Sequence, residues 1–79
     1  MNVEEALNWI AEVFEEAPGR LKAETLRKDV ATWDSLGTLT LIAGLDERFD
    51  VHLSEKEIEG MQSVADILEI LRRGGKLDG

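Results

Sequence analysis

Cysteine is absent from this 79-residue chain, which excludes disulfides, CxxC redox chemistry and thiolate metal sites together. Histidine occurs once, as His52, and one histidine argues against a zinc site or a Ser-His-Asp triad built within one chain. Bases are scarce as well: nine Lys and Arg stand against seventeen Asp and Glu, a net charge of −8. Binding to nucleic acid or to an anionic membrane needs basic contacts, so neither is expected as a partner. No stretch approaches the roughly 18 apolar residues of a membrane span, and no basic segment precedes an apolar one near residue 1. The expected compartment is the cytoplasm. Internal repeats and low-complexity linkers are missing too.

What is present reads as one small globular domain. Hydrophobic residues make up 43% and charged ones 33% of the chain, a balance that supports a folded core rather than a disordered tail. The length allows one domain and not two, and so small a core depends on very regular helix packing. The charge is unevenly spread. Residues 1–19 hold five acids and no base, and residues 34–59 hold seven acids and two bases. Between them Arg20, Lys22, Arg27 and Lys28 make a stretch that is net positive by two. A partner with a basic docking surface would meet two acidic blocks.

Helical spacing predicts an all-α fold: a small bundle of three main helices plus a short helix between the second and the last. The first helix starts from Asn2 with Glu5 three residues on, and carries Val3, Ala6, Leu7, Ile10, Val13, Phe14 and Ala17 at helical spacing before Pro18-Gly19. Arg20 to Trp33 shows no clean period; Leu21, Leu26 and Val30 are its candidates for the core, and a loop of that length is expected to be functional or to hold a short turn. The second helix runs from about Asp34-Ser35 to Phe49. A short third begins at Ser54, paired with Glu57, with Ile58 and Met61 as its apolar side. The fourth begins at Ser63, paired with Asp66, carries Val64, Ile67, Leu68 and Leu71, and ends with Arg72, Arg73 and Gly74. The domain is expected to span residues 1–74, with 75–79 a flexible tail.

The second helix has two apolar stripes at about 100° per residue. Leu41, Ile42, Leu45 and Phe49, with Thr38 beside them, form a core face. Leu36, Leu39 and Ala43 lie opposite, with Asp46 and Glu47 at the edges of that second stripe. Two readings stand. The second stripe packs beneath the long loop, against Leu26 or Val30, or it is a docking surface for a basic, apolar patch on a partner.

The run Trp33-Asp34-Ser35-Leu36-Gly37 opens this helix. Asp34-Ser35-Leu36 at the start of an apolar helix, about 35 residues into a small acidic chain, resembles the attachment motif of acyl carrier proteins. The resemblance continues through Leu41 to Val51, then Ser54 to Ile58, Met61 to Val64 and Ala65-Asp66-Ile67, so it covers nearly the whole chain. It implies that a separate phosphopantetheinyl transferase, using coenzyme A, esterifies the Ser35 hydroxyl with 4′-phosphopantetheine. The arm's thiol then holds acyl groups as thioesters for fatty-acid, polyketide or related lipid enzymes. The chain itself would be a monomeric carrier and not an enzyme. The partners implied are that transferase and acyl-loading and acyl-transferring enzymes with basic docking surfaces. They would meet Leu36, Leu39, Ala43, Asp46 and Glu47. The position suits the chemistry, because unpaired N–H groups and the helix dipole favour a phosphodiester there. Asp34 can cap the helix and leave the Ser35 hydroxyl free. Two departures stand out: Trp33 occupies a position often held by glycine, and Gly37 and Thr40 stand where members serving fatty-acid synthesis carry acids. Both point to a specialised member.

Other chemistries fit less well. A hydrolase elbow would need glycine at Trp33 and a base brought from His52. Asp46 to Glu57 has the length of a calcium loop, but Arg48 and Val51 occupy a ligand position and the turn glycine position. Gly74-Gly75-Lys76 lacks the rest of a P-loop. A peptidyl or aminoacyl carrier, or a cofactor-free interaction domain of the same fold, remains as the alternative function.

Overall fold

Three of the four helices begin with the same reciprocal device. In α1 (Val3–Val13), the Asn2 side chain accepts from the Glu5 amide at 2.8 Å, and the Glu5 carboxylate accepts from the Asn2 amide at 2.9 Å. Ser54 with Glu57 opens α3 (Glu55–Gly60), and Ser63 with Asp66 opens α4 (Val64–Arg73), in the same two-way fashion. Each pairing satisfies two backbone donors that a helix start leaves open. The fourth start, that of α2 (Ser35–Phe49), is different: Asp34 alone caps it, accepting from the Gly37 amide at 2.9 Å. The computed structural model describes residues 1–78, and among them there are four α-helices, one 3₁₀ turn and no strand. The all-α arrangement is the one expected from the sequence. Among the described residues no helix is long and apolar enough to cross a membrane.

α1 stops four residues short of Ala17. Phe14 caps it, Glu15 turns left-handed at φ 56°, and the Glu16 amide reaches back to the Ala11 carbonyl while that of Glu15 reaches Glu12. This is a Schellman-type end. The cause lies downstream: continuing the helix would point the Phe14 carbonyl at the amide of residue 18, and Pro18 has no N–H. The Thr32 hydroxyl donates to that carbonyl instead. Ala17, expected in the core, is exposed, and Val3 is 40% exposed.

The long segment from Glu15 to Asp34 holds a 3₁₀ turn at Arg27–Asp29 and drives Leu21, Val30 and Trp33 into the core. Its backbone is tied to the start of α4. The Val64 amide donates to the Thr25 carbonyl at 2.9 Å, the Ala65 amide to Ala23 at 2.8 Å, and the Arg27 amide to Gln62 at 2.8 Å. The loop thus satisfies amides that open α4, which holds it in place without regular structure of its own. Leu26 is not tucked in; it is 41% exposed, and its backbone bridges Ser63.

The core is filled by Ile10 and Phe14 of the first helix region, Leu41 and Leu45 of α2, Met61, and Val64, Ile67 and Leu71 of α4. Gly44 brings α1 against α2, because a Cβ there would lie 2.8 Å from Trp9 Cζ2. Trp9 in turn meets Phe49 edge-on, with ring centroids 4.9 Å apart. Trp9, Ala11 and Ile70 join the core although helical spacing did not single them out. α3 buries none of its own residues fully; half-buried Ile58 and the following Met61 hold it.

The end of the chain differs from the flexible tail expected at residues 75–79. Through residue 78 it folds back: the Lys76 amide donates to Leu71, the Asp78 amide donates to the Met1 carbonyl at 2.7 Å, and Leu77 is buried. A leucine able to cover the open end of α1 and α4 is the physical reason. Gly79 lies outside the described residues.

Candidate functional site

The loop before α2 determines how this helix begins. Trp33 is buried, stacked on Phe14 with centroids 5.0 Å apart, so the chain reaches Asp34 from inside the core. The Thr32 carbonyl then passes against Gly37 so closely that any Cβ there would collide with it. Trp33 and Gly37 are therefore one packing solution. The bulky ring fixes the approach of the loop, and the glycine makes room for its backbone.

Asp34 is exposed, in extended conformation, and caps α2 as expected. Ser35 follows as the first helical residue, exposed, with no hydrogen bond from its hydroxyl among the described residues. Ser54 and Ser63 use their hydroxyls to cap α3 and α4, so of these three helix-opening serines only Ser35 is free to react. Open N–H groups and the positive end of the α2 dipole surround it.

The second apolar stripe is solvent-facing. Leu36 is 74% and Leu39 63% exposed, and Ala43 is exposed beside them. The loop covers none of the three, so the stripe does not pack beneath it. On the opposite face Thr38, Leu41 and Leu45 are buried, while Ile42 and Phe49 are half-buried. Glu47 is exposed. Asp46 is exposed but engaged, its carboxylate 3.2 Å from His52 Nδ1, while His52 Nε2 lies 3.2 Å from Asp50. The ligand atoms of these three residues lie within 4.8 Å of one another. All three lie within the Asp46 to Glu57 segment whose calcium-loop pattern is broken by Arg48 and Val51, and the helix end at Asp50 turns His52 back onto the other two.

Two concavities flank the start of α2. One, of about 340 Å³, lies toward the end of α1 and carries the carboxylates of Glu12, Glu15 and Asp34 beside Phe14 and Leu36. The other, of about 440 Å³, lies between α2 and α3. It begins at Ser35 and is floored by Thr38, Leu39, Ile42 and Ile58, with Arg27 on the loop side and Glu55 and Glu59 on the other. The Thr38 hydroxyl is buried there without a hydrogen-bond partner. The sequence reading missed both Arg27 and this groove, because the loop's fixed position depends on backbone bonds to α4.

Chemically, the arrangement offers an exposed hydroxyl that can be esterified, an electropositive helix start suited to an anion, and an adjoining groove that is mostly apolar. It does not offer self-activation. The chain's one histidine contacts Asp46, eleven residues along the helix and so about 16 Å from Ser35. No base of the Ser-His kind is in reach, and the placement excludes a hydrolase elbow.

Comparison with known proteins agrees with this geometry. The acyl carrier protein of Bdellovibrio bacteriovorus is 30% identical over 59 residues, covering 75% of this chain and 76% of that protein. The acyl carrier protein of Akkermansia muciniphila is 38% identical over 40 residues, 51% of this chain and 50% of the relative. Among solved structures, the solution structure of holo acyl carrier protein from Geobacter metallireducens superposes with a TM-score of 0.76 at 26% identity, covering 90% of this chain and 83% of that one. No family model matches the chain.

Proposed function

This chain belongs to the acyl carrier protein family, and we propose that its Ser35 hydroxyl is the attachment point of the arm. The protein is an acyl carrier and not an enzyme, and its cofactor is a covalently attached 4′-phosphopantetheine. When bound, that group supplies a terminal thiol that holds an acyl chain as a thioester. Everything else falls to the chain's own residues. Ser35 would provide the oxygen to be esterified, Asp34 caps α2 so that this oxygen stays free, and the amides left open in the first turn would help hold the phosphodiester.

The single observation that carries the assignment is that Ser35 is exposed with an unengaged hydroxyl, whereas Ser54 and Ser63 are committed to capping. The residues present fit the group: the free hydroxyl belongs to a residue that lines a groove of about 440 Å³ whose other lining includes Leu39, Ile42 and Ile58. Family membership implies work with a phosphopantetheinyl transferase and with acyl-handling enzymes. Leu36, Leu39, Ala43 and Glu47 are our proposed contact surface for them, because the apolar stripe is exposed next to Ser35 and flanked by acids. Asp46 belongs to the same surface but must be shared with His52. We place the protein in the cytoplasm as a monomer serving lipid-building enzymes.

Treatment with coenzyme A and a broad-specificity transferase tests the assignment. One arm should be added, peptide mapping should place it on Ser35, and Ser35→Ala should take up none. An arm found on Ser54 or Ser63, or uptake persisting in Ser35→Ala, would sink the assignment.

A further inference from the structure

The cation on the groove beside Ser35 has no acid of its own. Arg27 lies in the 3₁₀ turn, and its guanidinium carbon sits 5.9 Å from the centre of the Trp33 ring, over that ring. The ring is itself fixed by stacking on Phe14, two residues before the serine. Arg27 and Ser35 line the same groove. Among the described residues the five close contacts between a basic and an acidic group involve Met1, His52, Arg72 and Arg73, and none involves Arg27. In a chain of net charge −8, a half-buried arginine without a carboxylate partner calls for an explanation. The backbone of Arg27 is anchored independently of its side chain, through its amide to the Gln62 carbonyl. A second observation points the same way. Thr38, only 8% exposed on the floor of that groove, has a hydroxyl without any partner.

We propose that Arg27 is a binding residue for the phosphodiester on Ser35, holding the base of the arm on the groove side of α2 rather than on the Leu36 side. This rests on Ser35 being the attachment point. A guanidinium is suited to the task because its fork of donors matches phosphate oxygens, and stacking on an indole orients that fork. The amides that open α2 approach the phosphate from the helix, and Arg27 approaches it from the loop. Trp33 then has a functional as well as a packing role, as the platform that keeps the cation in place.

Apo and holo protein, prepared as wild type, Arg27→Gln and Arg27→Lys, distinguish the outcomes. Intact mass and peptide mapping first establish that each variant carries its arm on Ser35. In wild type the Arg27 side-chain N–H resonance should shift on conversion from apo to holo. The ³¹P resonance of the arm should move in Arg27→Gln and fall between the two in Arg27→Lys. The change in Tm between apo and holo should be lost in Arg27→Gln and diminish in wild type as salt is raised. Because each variant is compared with its own apo form, any general weakening from lost stacking on Trp33 cancels. A correctly placed arm whose ³¹P resonance and Tm change are the same in wild type and Arg27→Gln would overturn this proposal alone. So would an Arg27 resonance that answers to Glu55→Gln or Glu59→Gln and not to the arm. An arm absent from Ser35 would overturn the assignment of the serine, and this proposal with it.

Discussion

Leu36 and Leu45 are the same residue on the same helix, and they meet opposite surroundings. Nine residues at about 100° each put them half a turn apart; Leu45 is 0% exposed and Leu36 74%. One side of α2 packs against α1 and joins the core, and the other meets solvent, acids and the groove beside Ser35. A helix with two apolar sides is usually buried on both. Here the second side stays open because the loop that could have covered it is held elsewhere, by its hydrogen bonds to the first residues of α4.

The comparison breaks most sharply at the buried end. Leu45→Ala should cost about 2–5 kcal/mol, the usual range for a core leucine truncated to alanine. For a domain this small that is most of its stability, so urea or thermal unfolding should show a collapsed midpoint or no cooperative transition at all. Leu36→Ala should move the same midpoint by no more than about 0.5 kcal/mol, as a surface change does. It should still slow loading by the transferase or an acyl-transferring partner. Equal destabilisation by both would mean that the second side packs in solution, and a normal loading rate in Leu36→Ala would remove it from the docking surface.

The smallest effect concerns α3, which lies across the groove from that surface. The Ser54 backbone amide above all, then the Ser54 hydroxyl and the Arg73 guanidinium, hold the Glu57 carboxyl below its ordinary value of 4.5. A carboxylate favoured in the folded state stabilises above its unfolded value and ceases to do so as pH falls through the folded one. Glu57→Gln should therefore lower the thermal midpoint slightly at neutral pH and converge with wild type below 4.5. Parallel melting curves across that range would show that the charge on Glu57 adds nothing to the attachment of α3.

How much of this was legible from sequence depends on how local each cause is. α2 was placed to its last residue, and α3 and α4 to their caps, because Asp34, Ser54 with Glu57, and Ser63 with Asp66 act within one turn of themselves. The end of α1 was misplaced although Pro18 stood in plain view. Its effect falls four residues upstream, on the Phe14 carbonyl, and the replacement donor, Thr32, is eighteen residues away. Leu77 read as tail because its cover is the far end of the chain. At the site the same division holds. Ser35 and Asp34 follow from the helix start, while Arg27 enters the groove only through pairing with Gln62. The exposure of Leu36 and Leu39 was an open choice for the same reason.

Trp33 has one further consequence. The chain's two indoles are Trp9, against Gly44 and Phe49 toward the end of α2, and Trp33, against Phe14 just before its start. The protein therefore carries an optical probe at each end of its central helix. An indole's emission energy follows the electric field across its ring, and Trp33 has a guanidinium over its face and the attachment serine two residues on. With Trp9→Phe as background, fluorescence from one native side chain reports on the charge at the carrier site, without any dye or label.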